Sequence, residues 1–144
     1  MISNTLNFTN IKEFNTEKYL ELSFELSKID PTNLDSELVN FTVVYSFYHG
    51  ILVSAKKLVD NAKLERDTFT ATYKTDKRKT RKYAVADLED LATSQPEIEL
   101  LSKKVSSAEE IYSLVKALCN TLEHKKDMLI QLSANSRQEA KIYS

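Results

Sequence analysis

The chain has 144 residues, 42% of them hydrophobic and 28% charged, with a formal net charge of −1. These proportions suit one folded domain, residues 1–144, and exclude a disordered chain. One glycine and two prolines leave almost no turn punctuation, which a multi-stranded sheet would need about every 8 to 12 residues. The expectation is an all-α fold of a few long elements.

Residues 1 to 15 are rich in Asn and Thr, which compete with the helical backbone, and offer only Leu6, Phe8, Ile11 and Phe14 as apolar anchors. They read as an extended arm able to lie on a neighbouring subunit. Thr16 is the expected cap of a short first helix of about four turns, with Leu20, Phe24 and Ile29 or Leu22 and Leu26 as its apolar face. Asp30-Pro31 ends it, because a residue preceding proline avoids the α region.

Beyond Pro31 the apolar residues fall into a heptad seam through Leu34, Leu38, Phe41, Tyr45, Tyr48, Leu52, Ala55, Val59, Ala62, Arg66, Phe69 and Tyr73. This predicts a long helix over about 33–74. Val44, Phe47, Ile51 and Leu58 form a second stripe beside the seam, so the helix should touch more than one neighbour. Gly50 costs about 1 kcal/mol relative to alanine inside a helix and marks a bend, a close helix crossing or a tolerated surface position.

A basic segment then breaks the pattern. Thr80 is the expected cap of a short helix at 80–93, with Val85, Leu88 and Ala92 on one side. Ser94-Gln95-Pro96-Glu97 reads as a capping box with Pro96 in the first turn. A second long helix, about 95–141, follows on the seam Ile98, Leu101, Val105, Ala108, Tyr112, Val115, Cys119, Leu122, Lys126 and Leu129. Such a helix is about 70 Å long, against about 40 Å across for a compact domain of this size. The two long helices are expected to form an antiparallel hairpin with apolar surface left over, hence a homo-oligomer. The residues expected to carry that assembly are Leu38, Phe41, Tyr45, Tyr48, Leu52, Val59, Ile98, Leu101, Val105, Tyr112, Val115 and Leu122.

Chemistry is sparse. No Gly-rich phosphate loop, nucleophile elbow or His-Glu-x-x-His pair is present, so no catalytic residue, metal site or cofactor is expected. His49 and His124 fall on separate helices, and Cys119 is the only cysteine, which excludes an internal disulfide and suits a reducing cytosol. Asp87 and Asp90 share a helix face and read as solvated, or as a pair able to hold a cation or meet a basic partner. The N-terminal residues lack the pattern of a secretory signal, and no segment is expected to approach a membrane span.

The stretch Tyr73 to Tyr83 is different. Lys74, Lys77, Arg78, Lys79, Arg81 and Lys82 oppose only Asp76, a local excess of five positive charges that leaves the remainder of the chain at −6. Segregated charge points to a directed partner. Tyr73 and Tyr83 flank the cations, with Phe69 one turn earlier, which is the pairing single-stranded nucleic acid needs: bases stack on rings while cations follow phosphates. A solvated helix-to-helix connection is the competing reading.

The run TYKTDKRKTRKYAVADLEDLATSQPEIELL, followed by a long helix ending in LEHKKDMLIQLSANSRQEA, resembles the bacteriophage recombination mediators of the UvsY type over about residues 33 to 141. The similarity rests on the aromatic and basic exit from the helix, the Lys-Thr element at Lys79-Thr80, and Lys-Asp-Met-Leu-Ile-Gln-Leu with Asn135 and Arg137. The resemblance implies a non-enzymatic, ring-forming helical protein in the cytoplasm of the host cell. Such a protein binds single-stranded DNA, helps displace the single-strand-binding protein, and loads a RecA-like recombinase in recombination-dependent replication and repair. The best-known member carries a Lys-Ala-Arg element in its DNA site. Its nearest counterpart here is Lys63-Leu64-Glu65-Arg66, with different spacing and an intervening acid, which adds Lys63 and Arg66 to the candidate DNA contacts. Arg81 stands where relatives often place an acid, which disfavours a helix start and strengthens a phosphate site. The alternative from another class is a non-catalytic helical adaptor or assembly chaperone that binds no nucleic acid.

Overall fold

The computed structural model describes residues 6, 7 and 10–143. It is all-α, with no strand among the described residues: a 3-10 turn Ile11–Glu13, then α1 Thr16–Ser27, α2 Leu34–Arg78, α3 Val85–Thr93 and α4 Pro96–Tyr143. The two long helices run 45 and 48 residues. By contact the chain divides into two compact units, one of residues 1–54 and 113–144, the other of residues 55–112.

In the first unit, Asn7 and Asn10 close a local box, each side-chain oxygen accepting from the other's backbone N–H at 2.7 and 3.0 Å. This turn sets Leu6, Ile11 and Phe14 into the unit's own core. The arm reading is corrected there: these three anchors are covered by their own chain, while Phe8 and residues 1–5 lie outside the described residues. Asn15, not Thr16, caps α1 by accepting from the Lys18 N–H at 2.9 Å, since asparagine is the stronger cap of the two and stands one residue earlier. The helix half-buries Leu22 and Leu26 and leaves Leu20 and Phe24 in solvent, which selects the second of the two expected faces. It stops at Ser27, ahead of Asp30, whose carboxylate accepts from the Thr32 N–H and hydroxyl and is held below the usual carboxylate range by those bonds.

Along α2 this unit buries Phe41, Tyr48 and Ile51, and along α4 Val115, Leu118, Cys119, Leu122 and Leu129. Polar contacts fix the register at the edge of that core. Glu37 meets Lys125 at 3.4 Å, the Tyr45 hydroxyl donates to Glu123, and the Cys119 thiol donates to the Tyr48 carbonyl at 3.6 Å. Burial pushes that thiol up, which keeps Cys119 a packing residue.

The second unit packs Val59 and Ala62 against Val105 and Ala108, with Leu58 and Tyr112 at the margin. Lys63 pairs with Glu109 at 3.7 Å and Glu65 with Lys104 at 2.6 Å. Alanine at every other contact lets backbones approach closely. Helix α3 closes the unit with Leu88 and Ala92, whereas Val85 faces solvent instead of joining them.

Three helix ends depart from expectation for physical reasons. Helix α2 continues through Arg78, four residues past Lys74, because nothing between them breaks a helix and cations are favoured beside its C-terminal carbonyls. Thr80 then closes α2 and does not open α3: its N–H and its hydroxyl both donate to the Lys77 carbonyl, at 3.1 and 2.7 Å. Ser94 likewise folds back on α3, donating from its hydroxyl to the Leu91 carbonyl at 2.9 Å, so no capping box forms and the Gln95 carbonyl starts α4.

Helix α2 also overturns the expectation that no segment approaches a membrane span. By length and composition it qualifies, with an 18-residue window of mean hydropathy 1.4, and residues 38 to 55 contain no Asp, Glu, Lys or Arg.

Candidate nucleic-acid interface

The basic segment lies wholly in the second unit and is divided between helix and turn. Lys74, Lys77 and Arg78 stand on the last turns of α2, where they also offset the partial negative charge of its carbonyl end. Lys79, Arg81 and Lys82 occupy the connection to α3. The structure therefore brings all six within one short span, but on two kinds of backbone.

Their partners differ. The Lys74 ammonium is only partly exposed and pairs with Glu89 of α3, and Lys79 pairs with Asp76 at 3.6 Å. Among the described residues Lys77, Arg78, Arg81 and Lys82 form no ion pair with an acid, and the last three are exposed. Within the segment these four are the cations not held by an acid. Asp67, Thr70, Ala71, Lys74, Thr75 and Arg78 line a shallow depression of about 330 Å³ beside them.

The aromatic groups are engaged to different degrees. Tyr73 lies near-parallel to Phe69 with ring centres 6.5 Å apart, carries the Lys77 ammonium 5.6 Å from its centre, and accepts from the Gln95 amide at 3.0 Å. Tyr83 meets the Arg81 guanidinium 4.4 Å from its ring centre. Hydrogen bonding from Arg81, with Thr80 and Lys77 nearby, holds its phenol below the ordinary value. A cation already resting on an aromatic face is the arrangement in which a base and a phosphate can be met together.

Lys63 and Arg66 stand further back on α2, and neither is open: Lys63 faces Glu109, and Arg66 turns to Asp67 at 3.3 Å. Glu89 and Gln95 are the residues that sequence reading missed. Each is fifteen or more residues from its partner, and no local spacing announces it.

The residues expected to join copies are largely internal. Phe41, Tyr48, Val59, Ile98, Val105, Val115 and Leu122 are buried within one chain, and Leu38, Tyr45, Leu52, Leu101 and Tyr112 are half-buried.

No group of three or more His, Cys, Asp or Glu among the described residues is arranged to hold a metal ion. His49 lies tilted at 48° against Tyr45 with ring centres 4.2 Å apart, and its Nε2 is buried without a hydrogen-bond partner among the described residues. Asp87 and Asp90 are exposed on α3. Compared with protein-family models, with curated proteins and with solved structures, the chain matches none.

Proposed function

We propose that this protein is a recombination mediator that binds single-stranded DNA and promotes loading of a RecA-like recombinase onto strands coated by single-strand-binding protein. The observation that carries the reading is the group of four cations without acidic partners, Lys77, Arg78, Arg81 and Lys82, set beside Tyr73 and Tyr83 in a chain otherwise net negative. Phosphates of the strand are met by those four, with Lys74 and Lys79 joining once their acids are displaced, and Tyr73 and Tyr83 stack or position bases. No catalytic step, metal or cofactor enters.

In this reading the long helices pair antiparallel, which is supported inside each unit by partner numbers that fall as those of α2 rise: Glu37 with Lys125 and Tyr48 with Cys119, then Lys63 with Glu109 and Tyr73 with Gln95. Several copies assemble, as a ring in the manner of the family it resembles, and work in the host cytoplasm. Repetition of one weak site along a long strand gives tight collective binding.

The adaptor reading is favoured by a specific observation too. Cations at the end of α2 are what its dipole calls for, and two of the six are already neutralised. Fluorescence anisotropy with labelled single strands of increasing length, over a salt series, separates the two. Affinity that rises with length and falls steeply with salt supports the mediator. No binding at low salt refutes it and leaves the adaptor.

A further inference from the structure

The two ion pairs of the basic segment are of different kinds. Lys79 meets Asp76 three residues earlier, and the two side chains are 72% and 66% exposed. A local pair so open to water breaks and forms again readily. Lys74 meets Glu89 across 15 residues, from α2 to α3, and its side chain is only 22% exposed. The fold itself, and not the local sequence, determines what this ammonium touches. Lys74 also lines the shallow depression together with Thr70, Thr75 and Arg78. Two cations and two hydroxyls around one concavity are groups that suit a phosphate. One of those cations already holds a carboxylate, an anion that a lysine binds through the same charge-assisted hydrogen bonds.

Helix α3 has other anchors than Glu89. Leu88 and Ala92 are buried along it. Beyond its C-terminal end the Gln95 amide donates to the Leu91 carbonyl and to the Tyr73 hydroxyl, both at 3.0 Å, which ties α3 to the residue next to Lys74. Apolar burial and this amide hold the helix, so the carboxylate of Glu89 is delivered to Lys74 by a backbone already fixed in place. Glu89 itself is exposed. An exposed acid on a fixed helix can be displaced from its partner by a stronger or multiply held anion without unfolding the helix that carries it.

We infer that Glu89 is an autoinhibitory group of the strand site, its carboxylate standing on Lys74 where a phosphate of the strand would stand. The inference rests on the DNA reading of the proposed function and adds the regulation of that site. A competitor within the chain withholds one phosphate contact from every copy. Each copy then grips weakly and releases readily, while several copies on one strand still hold it together. A protein that passes a strand on to another needs a grip of that kind.

The test is fluorescence anisotropy of the full chain with a short labelled single-stranded oligonucleotide over a salt series, with circular dichroism as a check on helix content. The variants are Glu89→Gln, Lys74→Ala, the two combined, and the control Asp90→Asn, which removes the same charge from another exposed position of α3. Glu89→Gln keeps the size of the side chain and loses its charge. A released Lys74 adds about −0.7 to the slope of log K against log salt, which is about eightfold in affinity at about 50 mM relative to about 1 M. Glu89→Gln should therefore bind about five- to tenfold tighter than wild type at about 50 mM, and Asp90→Asn should stay within about twofold. In the Lys74→Ala background Glu89→Gln should change affinity by less than about twofold, because the cation it releases is gone. Equal tightening by Glu89→Gln and Asp90→Asn, or tightening that persists without Lys74, reduces the effect to general charge and overturns the contact. A wild type that binds, with Glu89→Gln no tighter, overturns the inference and leaves the DNA reading standing. No binding by wild type and Glu89→Gln alike overturns both.

Discussion

The cations of the basic segment are not equivalent, and the difference is measurable. In the proposed reading Lys77, Arg78, Arg81 and Lys82 meet an incoming phosphate without leaving an acid, whereas Lys74 must leave Glu89 and Lys79 must leave Asp76. Each phosphate neutralised on a single strand contributes about −0.7 to the slope of log K against log salt, so the four free cations together account for about −2.8. Between about 50 and 200 mM salt that slope amounts to a roughly 50-fold fall in affinity. Replacing the four by alanine should remove most of that fall. Replacing Lys74 and Lys79 should change the slope by less than about one unit, because two acids freed from their partners remain beside the strand. Anisotropy with a short labelled oligonucleotide, with helicity and association state checked in each variant, gives both slopes. Equal flattening by the two sets, or greater flattening by the paired set, would refute the assignment of free and engaged cations.

The fold makes its own predictions. Leu122 is fully buried in the first unit, so Leu122→Ala should destabilise it by about 2–5 kcal/mol in urea denaturation, while Leu100→Ala, on an exposed position, should stay within about 0.5 kcal/mol. Burial pushes the Tyr48 phenol up to about 12, so the unfolded chain, whose tyrosines ionise near about 10, loses that proton first. The contribution of neutral Tyr48 to stability is therefore intact below about pH 10 and is lost as pH rises towards 12, at about 1.4 kcal/mol for each pH unit. Denaturation measured across that range should show the fall, and Tyr48→Phe should flatten it, because phenylalanine has no proton to lose.

The helical class and the two long helices were legible because four-and-three spacing, with almost no glycine or proline to interrupt it, admits few other conformations. What the spacing could not say was where each end falls. Thr80 and Ser94 are both good N-caps by type, and both instead fold their hydroxyls back on the helix before them, a choice made by neighbouring backbone and not by residue preference. Nor could periodicity say who covers a stripe. Phe41, Tyr48 and Leu122 read equally well as a surface for another copy or as a core, and only tertiary packing places them inside. The candidate site was half legible. Its cations and rings stand in one run, but Glu89 and Gln95 reach Lys74 and Tyr73 through folding alone.

Helix α2 changes character along its length: no charge between residues 38 and 55, then from Lys56 to Arg78 acids and bases in close alternation. In the proposed reading the strand contacts belong to the end of the second stretch, and affinity for a long strand comes from several copies acting together. Linked sites raise affinity by about 10²- to 10⁴-fold without any new contact, so a strand that spans several copies should bind tighter by that factor than an oligonucleotide that fills one site. Replacing Lys77, Arg78, Arg81 and Lys82 by alanine should weaken both. Paired titrations with a short and a long oligonucleotide, at one salt concentration, read the difference. Equal affinity for the two lengths would refute collective binding by an assembly of this chain.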